Sequence, residues 1–376
     1  MKKLRLIRPI AIDVLIYDSL GIDYLDGSVP ASCSVSYLEI RETFPIVLRW
    51  SFFWNVIRFV FAFQFNLLKS YTFALLEEFR PKVILTFADA TPLPGEFAQY
   101  RLSTLVISVQ NALRNDHALK NNIRRAPVYI AYGDSITELF ESRRVPYQRI
   151  VTAGSLPLGH YLTTGAPIDI RRDLVFISSY RVGFENTNVS AGVLGSVSKV
   201  HKQLFQNVLR YSKEHQRYLT VIAKGKVRKE GEHFSCEYAY FEELGQGYSF
   251  KISSTVKDTY KSYMIANSAQ VIITVDSTLG YEALGIGKKV LFGWCLDDEL
   301  KLYGQHYIKY LPQQLLLTDD TYYHFEEKLS TLLSCCEDSY LKLSKNAKLR
   351  YMRQCVNFPP HERIKSEIQQ HLTMHV

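Results

Sequence analysis

An apolar run, Val271 to Val275, stops at Asp276-Ser277-Thr278, and a helix-like stretch, Leu279 to Ile286, leads on to the next apolar run at Val290. A carboxylate and two hydroxyls at the end of a buried strand, where a helix begins, are groups that can do chemistry. Ser277 or Thr278 can cap the helix. Its first turn offers N–H groups and the positive end of a dipole, a ready place for a phosphate. Gly280 would permit close approach of a ligand, and Glu282, one turn on, could accept hydrogen bonds from ribose hydroxyls. An ordinary capped helix carries the same residue types, so the stretch gains meaning only from the elements around it.

Those elements alternate. In the first half, Ala11 to Tyr17 reads as strand, Trp50 to Phe79 as one long helix, and Val83 to Phe87, Thr104 to Val109 and Val128 to Tyr132 as further strands. Ser135 to Ser142 reads as helix and Ile150 to Thr152 as a short strand. Strands alternating with helices imply parallel βαβ units. The stretch "GSLPLGHYLTTGAP", Gly154 to Pro167, then reads as a flexible linker. After it the alternation resumes, with strands at Asp173 to Ser178, Tyr218 to Ala223, Val271 to Val275 and Lys289 to Gly293. Helices fall at Lys199 to Glu214 and Tyr260 to Asn267. At 376 residues the chain is too long for one ordinary core. The expectation is an α/β protein of two Rossmann-like domains with a cleft between them: residues 1–160, residues 168–340, and a helical tail, 341–376, packing back and broken at Pro359-Pro360.

Composition narrows the partners. The chain is 47% hydrophobic and 22% charged, as a folded globular protein is. Its net charge of +8 is scattered rather than clustered, which favours phosphorylated ligands or an anionic membrane surface over nucleic acid. The six cysteines form no CxxC pair, as expected of reduced thiols in the cytoplasm. Arg8, Pro9 and Asp13 interrupt any signal-peptide pattern. "IVLRWSFFWNVIRFVFAFQFNLL", Ile46 to Leu68, is long enough to span a bilayer, but Arg49, Asn55, Arg58, Gln64 and Asn66 would be costly there. Phe52, Val56, Phe59, Val60, Phe63 and Leu67 recur at helical spacing. A helix packed on its own domain is the first expectation, and a peripheral membrane contact through residues 46–68, at the inner face of the cytoplasmic membrane, is the second.

"DSTLGYEALGIGKKVLFG", Asp276 to Gly293, resembles the donor-domain signature of GT-B glycosyltransferases, in which a small-residue turn, a Glu-Ala pair and Gly-Lys precede the next strand. More narrowly, the chain resembles the bacterial surface carbohydrate biosynthesis proteins of lipopolysaccharide and O-antigen loci. "LIYDSLG" (Leu15 to Gly21), "VILTFADA" (Val83 to Ala90), "VISVQNALRND" (Val106 to Asp116) and "VFISSYR" (Val175 to Arg181) fit that group in the same order. The resemblance implies a GT-B fold and transfer of a sugar from a nucleotide-activated donor to a surface polysaccharide or lipid-linked glycan. No cofactor is implied, the nucleotide-sugar (CMP- or UDP-linked) being a substrate.

Carried over by position, the resemblance makes Asp276, Ser277, Thr278, Gly280 and Glu282 the donor contacts; Tyr180 and Arg181, just past "VFISS", are expected to face the cleft and join that donor set. Lys224, at the end of a strand and in "AKGKVRK", stands where such enzymes hold a cation against the donor phosphates. One well-placed donor of that kind contributes about 3–4 kcal/mol to the transition state. Lys226 or Arg228 could serve equally, and a solvated basic loop is the plain alternative. On the acceptor side a general base is expected, with Asp89 preferred over Asp18 and His117. Turn formation is the alternative for both aspartates. Gln110, Asn111 and Arg114 are sugar or phosphate ligands by type, so the acceptor set is Asp18, Gln110, Asn111, Arg114 and His117. His160 is expected as an exposed loop histidine. No metal site is expected: Asp297-Asp298-Glu299 reads as a solvated turn. Transfer of CMP-activated ulosonic acids, transfer of a polyol phosphate from a CDP-linked donor, and a non-catalytic scaffold of polysaccharide assembly are the competing functions.

Overall fold

The computed structural model describes residues 3–115, 125–165, 172–181, 192–223, 232–253, 260–294, 298–354 and 357–374. The chain divides into two compact units, one of Met1–His160 together with Gln354–Val376, the other of Tyr161–Arg353.

The first unit holds strands β1 (Lys3–Ile7), β2 (Val14–Tyr17), β3 (Val35–Leu38), β4 (Thr43–Val47), β5 (Val83–Thr86), β6 (Leu105–Val109), β7 (Val128–Ala131) and β8 (Arg149–Thr152). Its helices are α1 (Ile22–Asp26), α2 (Trp50–Ala62), α3 (Leu67–Phe79), α4 (Pro92–Tyr100) and α5 (Ser135–Ser142). Six strands form a parallel sheet in the order β3-β2-β5-β6-β7-β8. The sequences VLIY, VILT and VYIA of β2, β5 and β7 are buried throughout. Helices on both faces of a parallel sheet demand such unbroken apolar runs. The two-residue period shows in the core: Leu15 and Tyr17 join one cluster with Phe73 and Phe97, while Val14 and Ile16 join another with Leu85 and Ile107.

The second unit holds β9 (Arg172–Ile177), β10 (Leu219–Ile222), β11 (Lys251–Ser253), β12 (Ala269–Thr274), β13 (Val290–Gly293) and β14 (Leu316–Leu317), all parallel in the order β11-β10-β9-β12-β13-β14. Helix α6 (Leu156–Thr164) leads into it, followed by α7 (Gly192–Glu214), α8 (Glu232–Leu244), α9 (Lys261–Ser268), α10 (Thr278–Gly285), α11 (Asp298–Ile308), α12 (Tyr322–Ser334) and α13 (Glu337–Tyr351). The last helix, α14 (Pro360–Met374), returns to the first unit and places Ile364 and Ile368 in its core. The expected tail is therefore divided, α13 lying in one unit and α14 in the other.

Three expectations differ from the structure. The long helix is a hairpin: Gln64 (φ 51°) and Phe65 (φ 64°) take left-handed backbone, and the Asn66 side chain caps α3 by accepting from the Lys69 N–H at 3.1 Å. The expected linker, Gly154 to Pro167, forms helix α6 from Leu156 to Thr164, its last two residues lying outside the described ones. Pro157 costs it nothing, because the first turn needs no N–H from that residue. Gly159 is a packing residue, since a Cβ there would stand 2.6 Å from Pro360 Cδ. The first strand in sequence is β1, not the strand ending at Tyr17; it pairs in parallel with β4 as a separate two-stranded ribbon. Among the described residues no helix is long and apolar enough to cross a membrane.

Candidate functional site

In the second unit the chain leaves β9, runs outward through β10 and β11, and returns on the other side of β9 as β12. The carboxyl ends of β9 and β12 thus flank the point where strand order reverses, the place where open α/β sheets bind ligands. Phe176 pairs with Ile273, so Ser178 to Arg181 and Val275 to Thr278 emerge side by side. Arg181 donates through Nη2 to Asp276 Oδ2 at 2.5 Å and to the Tyr303 hydroxyl at 3.2 Å. The Asp276 N–H donates to Ser179 Oγ at 3.4 Å. Burial is the largest single influence and works against the Arg181 charge, but Asp276, Tyr303 and Tyr307 together outweigh it and hold the guanidinium above its ordinary pKa. The Nε and Nη1 of Arg181 make no hydrogen bond among the described residues.

The rest of the expected donor set divides. Ser277 occupies the N-cap of α10 in extended backbone, and its hydroxyl makes no capping bond. Thr278 follows it, half-buried at the first helical position. Tyr180 is buried with its ring 5.3 Å from that of Tyr240, and its N–H donates to Ser178 Oγ. Gly280 is packed closely, since a Cβ there would lie 2.5 Å from Thr274 Cγ2. Glu282 is buried and accepts from the Tyr263 hydroxyl at 3.0 Å. Lys224 lies outside the described residues, as do Lys226 and Arg228. Arg181 is therefore the cation that the described part of this site provides.

In the first unit, β5 and β6 deliver a second cluster. Arg114 donates through Nε to Asp89 Oδ2 at 2.9 Å and through Nη2 to Asp89 Oδ1. It also reaches Asn111 Oδ1 at 2.5 Å, while Asn111 Nδ2 donates to the Phe87 carbonyl at 2.8 Å. The buried Tyr129 hydroxyl donates to Asp89 Oδ2 at 2.6 Å. Burial, then the Asp89 charge, push the Tyr129 phenol well above its usual range. Both oxygens of Asp89 are thus taken up, which is the geometry of a group that orients Arg114 rather than of a free base. Tyr129 escaped the sequence reading because a tyrosine inside an apolar strand looks like core.

Gln110 is spent on backbone: its amide donates to the Ala112 carbonyl at 2.9 Å and accepts from the Tyr132 N–H at 2.8 Å. Asp18, at φ 78°, is held by Arg41 through Nε at 3.0 Å and Nη2 at 2.9 Å. His117 lies outside the described residues. His160 is no exposed loop histidine. It sits half-buried in α6, its Nε2 3.0 Å from the Tyr24 carbonyl and its ring stacked on His361 at 4.6 Å. Of Asp297-Asp298-Glu299, Asp298 opens α11 rather than lying in a turn. Among the described residues, Glu214, His215 and Glu326 have metal-ligand spacing. Glu214 ends α7, His215 follows it in the turn, and Glu326 is half-buried on α12; Arg210 and Tyr322 already bond Glu214.

Solved structures share this architecture over nearly the whole chain, and they define its class as GT-B. UDP-GlcNAc 2-epimerase from Neisseria meningitidis, bound to UDP-GlcNAc, matches with a TM-score of 0.55 at 10% identity, covering 96% of this chain and 99% of the other. UDP-GlcNAc 2-epimerase from Methanocaldococcus jannaschii, with UDP-GlcNAc and UDP, gives a TM-score of 0.58 at 11% identity, covering 96% and 100%. The wall teichoic acid polymerase TagF gives 0.54 at 10% identity, covering 96% and 89%. No curated protein sequence matches. Residues 119–307, half of the chain, match the family described as "putative O-antigen biosynthesis protein", and the chain belongs to that family.

Proposed function

We propose that this protein transfers a sugar from a nucleotide-activated donor to a glycan or lipid-linked acceptor in surface polysaccharide assembly. The observation that carries the reading is the Arg181–Asp276 pair at the β9/β12 switch point, beside the start of α10. Breaking the glycosidic bond leaves negative charge on the departing nucleotide. Asp276 and Tyr303 fix Arg181 through one nitrogen, so the rest of its guanidinium is available to that charge. The amide groups opening α10 add the positive end of a helix dipole. Together they take the part a divalent ion plays in metal-dependent transferases, and the mechanism proposed is metal-independent. Donors aimed at developing charge are worth about 10²–10³ in turnover each.

On the acceptor side, Asp89, Tyr129 and Asn111 hold Arg114 in a buried cluster that shapes the carboxyl ends of β5 and β6. Deprotonation of the attacking hydroxyl then falls to a residue other than Asp89, and His117, three residues beyond Arg114 in the sequence, is the base to test. The likeness to a teichoic acid polymerase keeps transfer of a CDP-linked polyol phosphate as the second reading. The same cation would serve it, because the leaving group is again a nucleotide phosphate.

The test is a thermal-shift panel of CMP, CDP, UDP, GDP and dTDP, followed by assay of the selected nucleotide's activated sugar. A ligand at about 100 times its Kd stabilises by roughly 2.7 kcal/mol, a readable shift. A shift with one nucleotide, absent in Arg181→Ala and reduced in Ser277→Ala, supports the reading and separates UDP from CMP and CDP chemistry. No shift with any nucleotide favours a non-catalytic scaffold. Epimerisation of the bound sugar with no transfer would sink the transferase reading while keeping the site.

A further inference from the structure

Helix α2 is apolar on two opposite faces, and its own domain covers one of them. Phe52 and Phe59 are buried, with Val56 and Phe63 packed beside them against Phe73. Trp50, Phe53, Trp54, Ile57 and Phe61 follow the same helical period on the other side, and all five are exposed. Trp50 is 76% exposed and Phe61 69%. Among these rings, Trp50 lies edge-on to Trp54 at 6.2 Å and Phe61 contacts Phe65 at 5.7 Å, while Phe53 meets the buried Phe52 at 6.0 Å. The left-handed turn at Gln64 and Phe65 adds Phe65, Leu67 and Leu68 at the tip of the hairpin, Leu68 being 72% exposed. On the neighbouring ribbon, Leu4 and its register partner Phe44 are exposed as well, and Phe44 stacks on Tyr71 of α3. A face of this extent and aromatic content marks an interaction surface.

Charge selects the occupant. From Thr43 to Leu76 the chain carries Arg49, Arg58 and Lys69 and no acidic residue, and Lys2, Lys3, Arg5 and Arg8 precede Asp13 without any. Lys69 is neutralised by Glu96 at 2.7 Å, and Arg49 approaches Glu78 at 3.7 Å. Arg58, exposed at the flank of the bare stripe, forms no ion pair among the described residues and lies over the Phe59 ring. A second copy docked face to face would leave Arg58 without an acidic partner on this stretch. An anionic bilayer offers the opposite charge, with an acyl boundary for the apolar stripe and a headgroup layer for the indoles. The helix has 13 residues, about 20 Å of length, against about 30 Å of hydrocarbon. It can lie in the interface and cannot span it.

We infer that the outer face of the α2–α3 hairpin docks this protein in the plane of an anionic membrane surface, with Trp50, Trp54, Phe61 and Phe65 inserted and Arg58 against the headgroups. The inference stands on the N-terminal unit alone and is independent of the nucleotide reading.

The experiment is co-sedimentation of the full chain with phosphatidylglycerol-containing vesicles and with pure phosphatidylcholine vesicles, read alongside tryptophan emission. Of the three tryptophans, Trp294 is fully buried, so a blue shift on binding reports Trp50 and Trp54. The expected result is binding to the anionic vesicles with a blue shift, weakened by salt and by Arg58→Glu. The Trp54→Ser/Phe61→Ser/Phe65→Ser variant should lose at least tenfold in binding, while its melting and its sedimentation coefficient stay those of the wild type. Protein left in the supernatant with both vesicle types overturns the inference, as does a triple variant that binds as the wild type does. Self-association that the triple variant abolishes, without vesicle binding, would assign the face to a second copy instead.

Discussion

Each unit carries an arginine–aspartate pair near the carboxyl ends of its strands, and the two pairs differ in burial. In the first unit the Asp89 side chain is 0% exposed and that of Arg114 12%. In the second, Asp276 is 7% exposed and Arg181 32%. Asp89 is also bonded by Tyr129, and Arg114 by Asn111. Arg181 spends one nitrogen on Asp276 and Tyr303. The same two residue types thus make a positioning device in the first unit, where both charges are sealed in, and a cation with one edge left open in the other.

Three single substitutions, one double variant and a pH profile test that contrast and the packing around it. Asp89→Ala leaves the Arg114 charge buried without its partner and should destabilise by about 3–5 kcal/mol, read by chemical denaturation. Asp89→Leu combined with Arg114→Met should recover most of that loss, because an apolar pair of similar volume avoids the desolvation cost. Failure of the double variant to recover would mean that the pair does more than hold structure. Gly280→Ala should cost about 1–3 kcal/mol by overpacking against Thr274, whatever nucleotide is present. If its stability is unchanged while nucleotide affinity falls, Gly280 serves the ligand and the packing explanation is wrong. Asp276→Ala, the counterpart of the first change in the open pair, should cost only about 1 kcal/mol or less because solvent screens Arg181.

The stacked histidines set a gentler dependence on pH. Burial lowers the pKa of both His160 and His361 below the ordinary value, and the His160 charge adds to the effect on His361. The unfolded chain therefore binds more protons than the folded one in that window, so stability rises with pH there. Their contribution is complete above the ordinary histidine pKa and is lost as pH falls through the lowered values. His361→Phe should flatten the melting-temperature profile on the acid side of neutrality. A variant profile as steep as that of the wild type would assign the acid sensitivity elsewhere.

Much of this was legible in residue order. Strands such as Val83–Thr86 and Val128–Ala131 announce themselves because burial on both faces demands unbroken apolar runs, and the breaks at their ends mark where the candidate residues sit. The hairpin at Gln64 was not legible: apolar residues on both sides of α2 keep the helical period running through the turn, and no glycine or proline marks it. Nor were the pairings within the candidate sites. Arg181 meets Asp276 across 95 residues, through the register of β9 with β12, and Tyr129 meets Asp89 across 40. Residue type at a strand end suggests a ligand, but only strand order shows which side chains spend their hydrogen bonds on one another. Residue type makes Gln110 a ligand group and Asp89 a general base, and in the structure the hydrogen bonds of both go to neighbouring protein groups.

The most direct measurement is calorimetric titration of the nucleotide selected by the thermal-shift panel into the wild type, Arg181→Ala and Asp89→Asn. The account predicts at least a tenfold weaker Kd for Arg181→Ala at unchanged stability, and an unchanged Kd for Asp89→Asn at reduced stability. Equal affinity in the wild type and Arg181→Ala, or an equal loss in both variants, would contradict the division of labour between the two pairs.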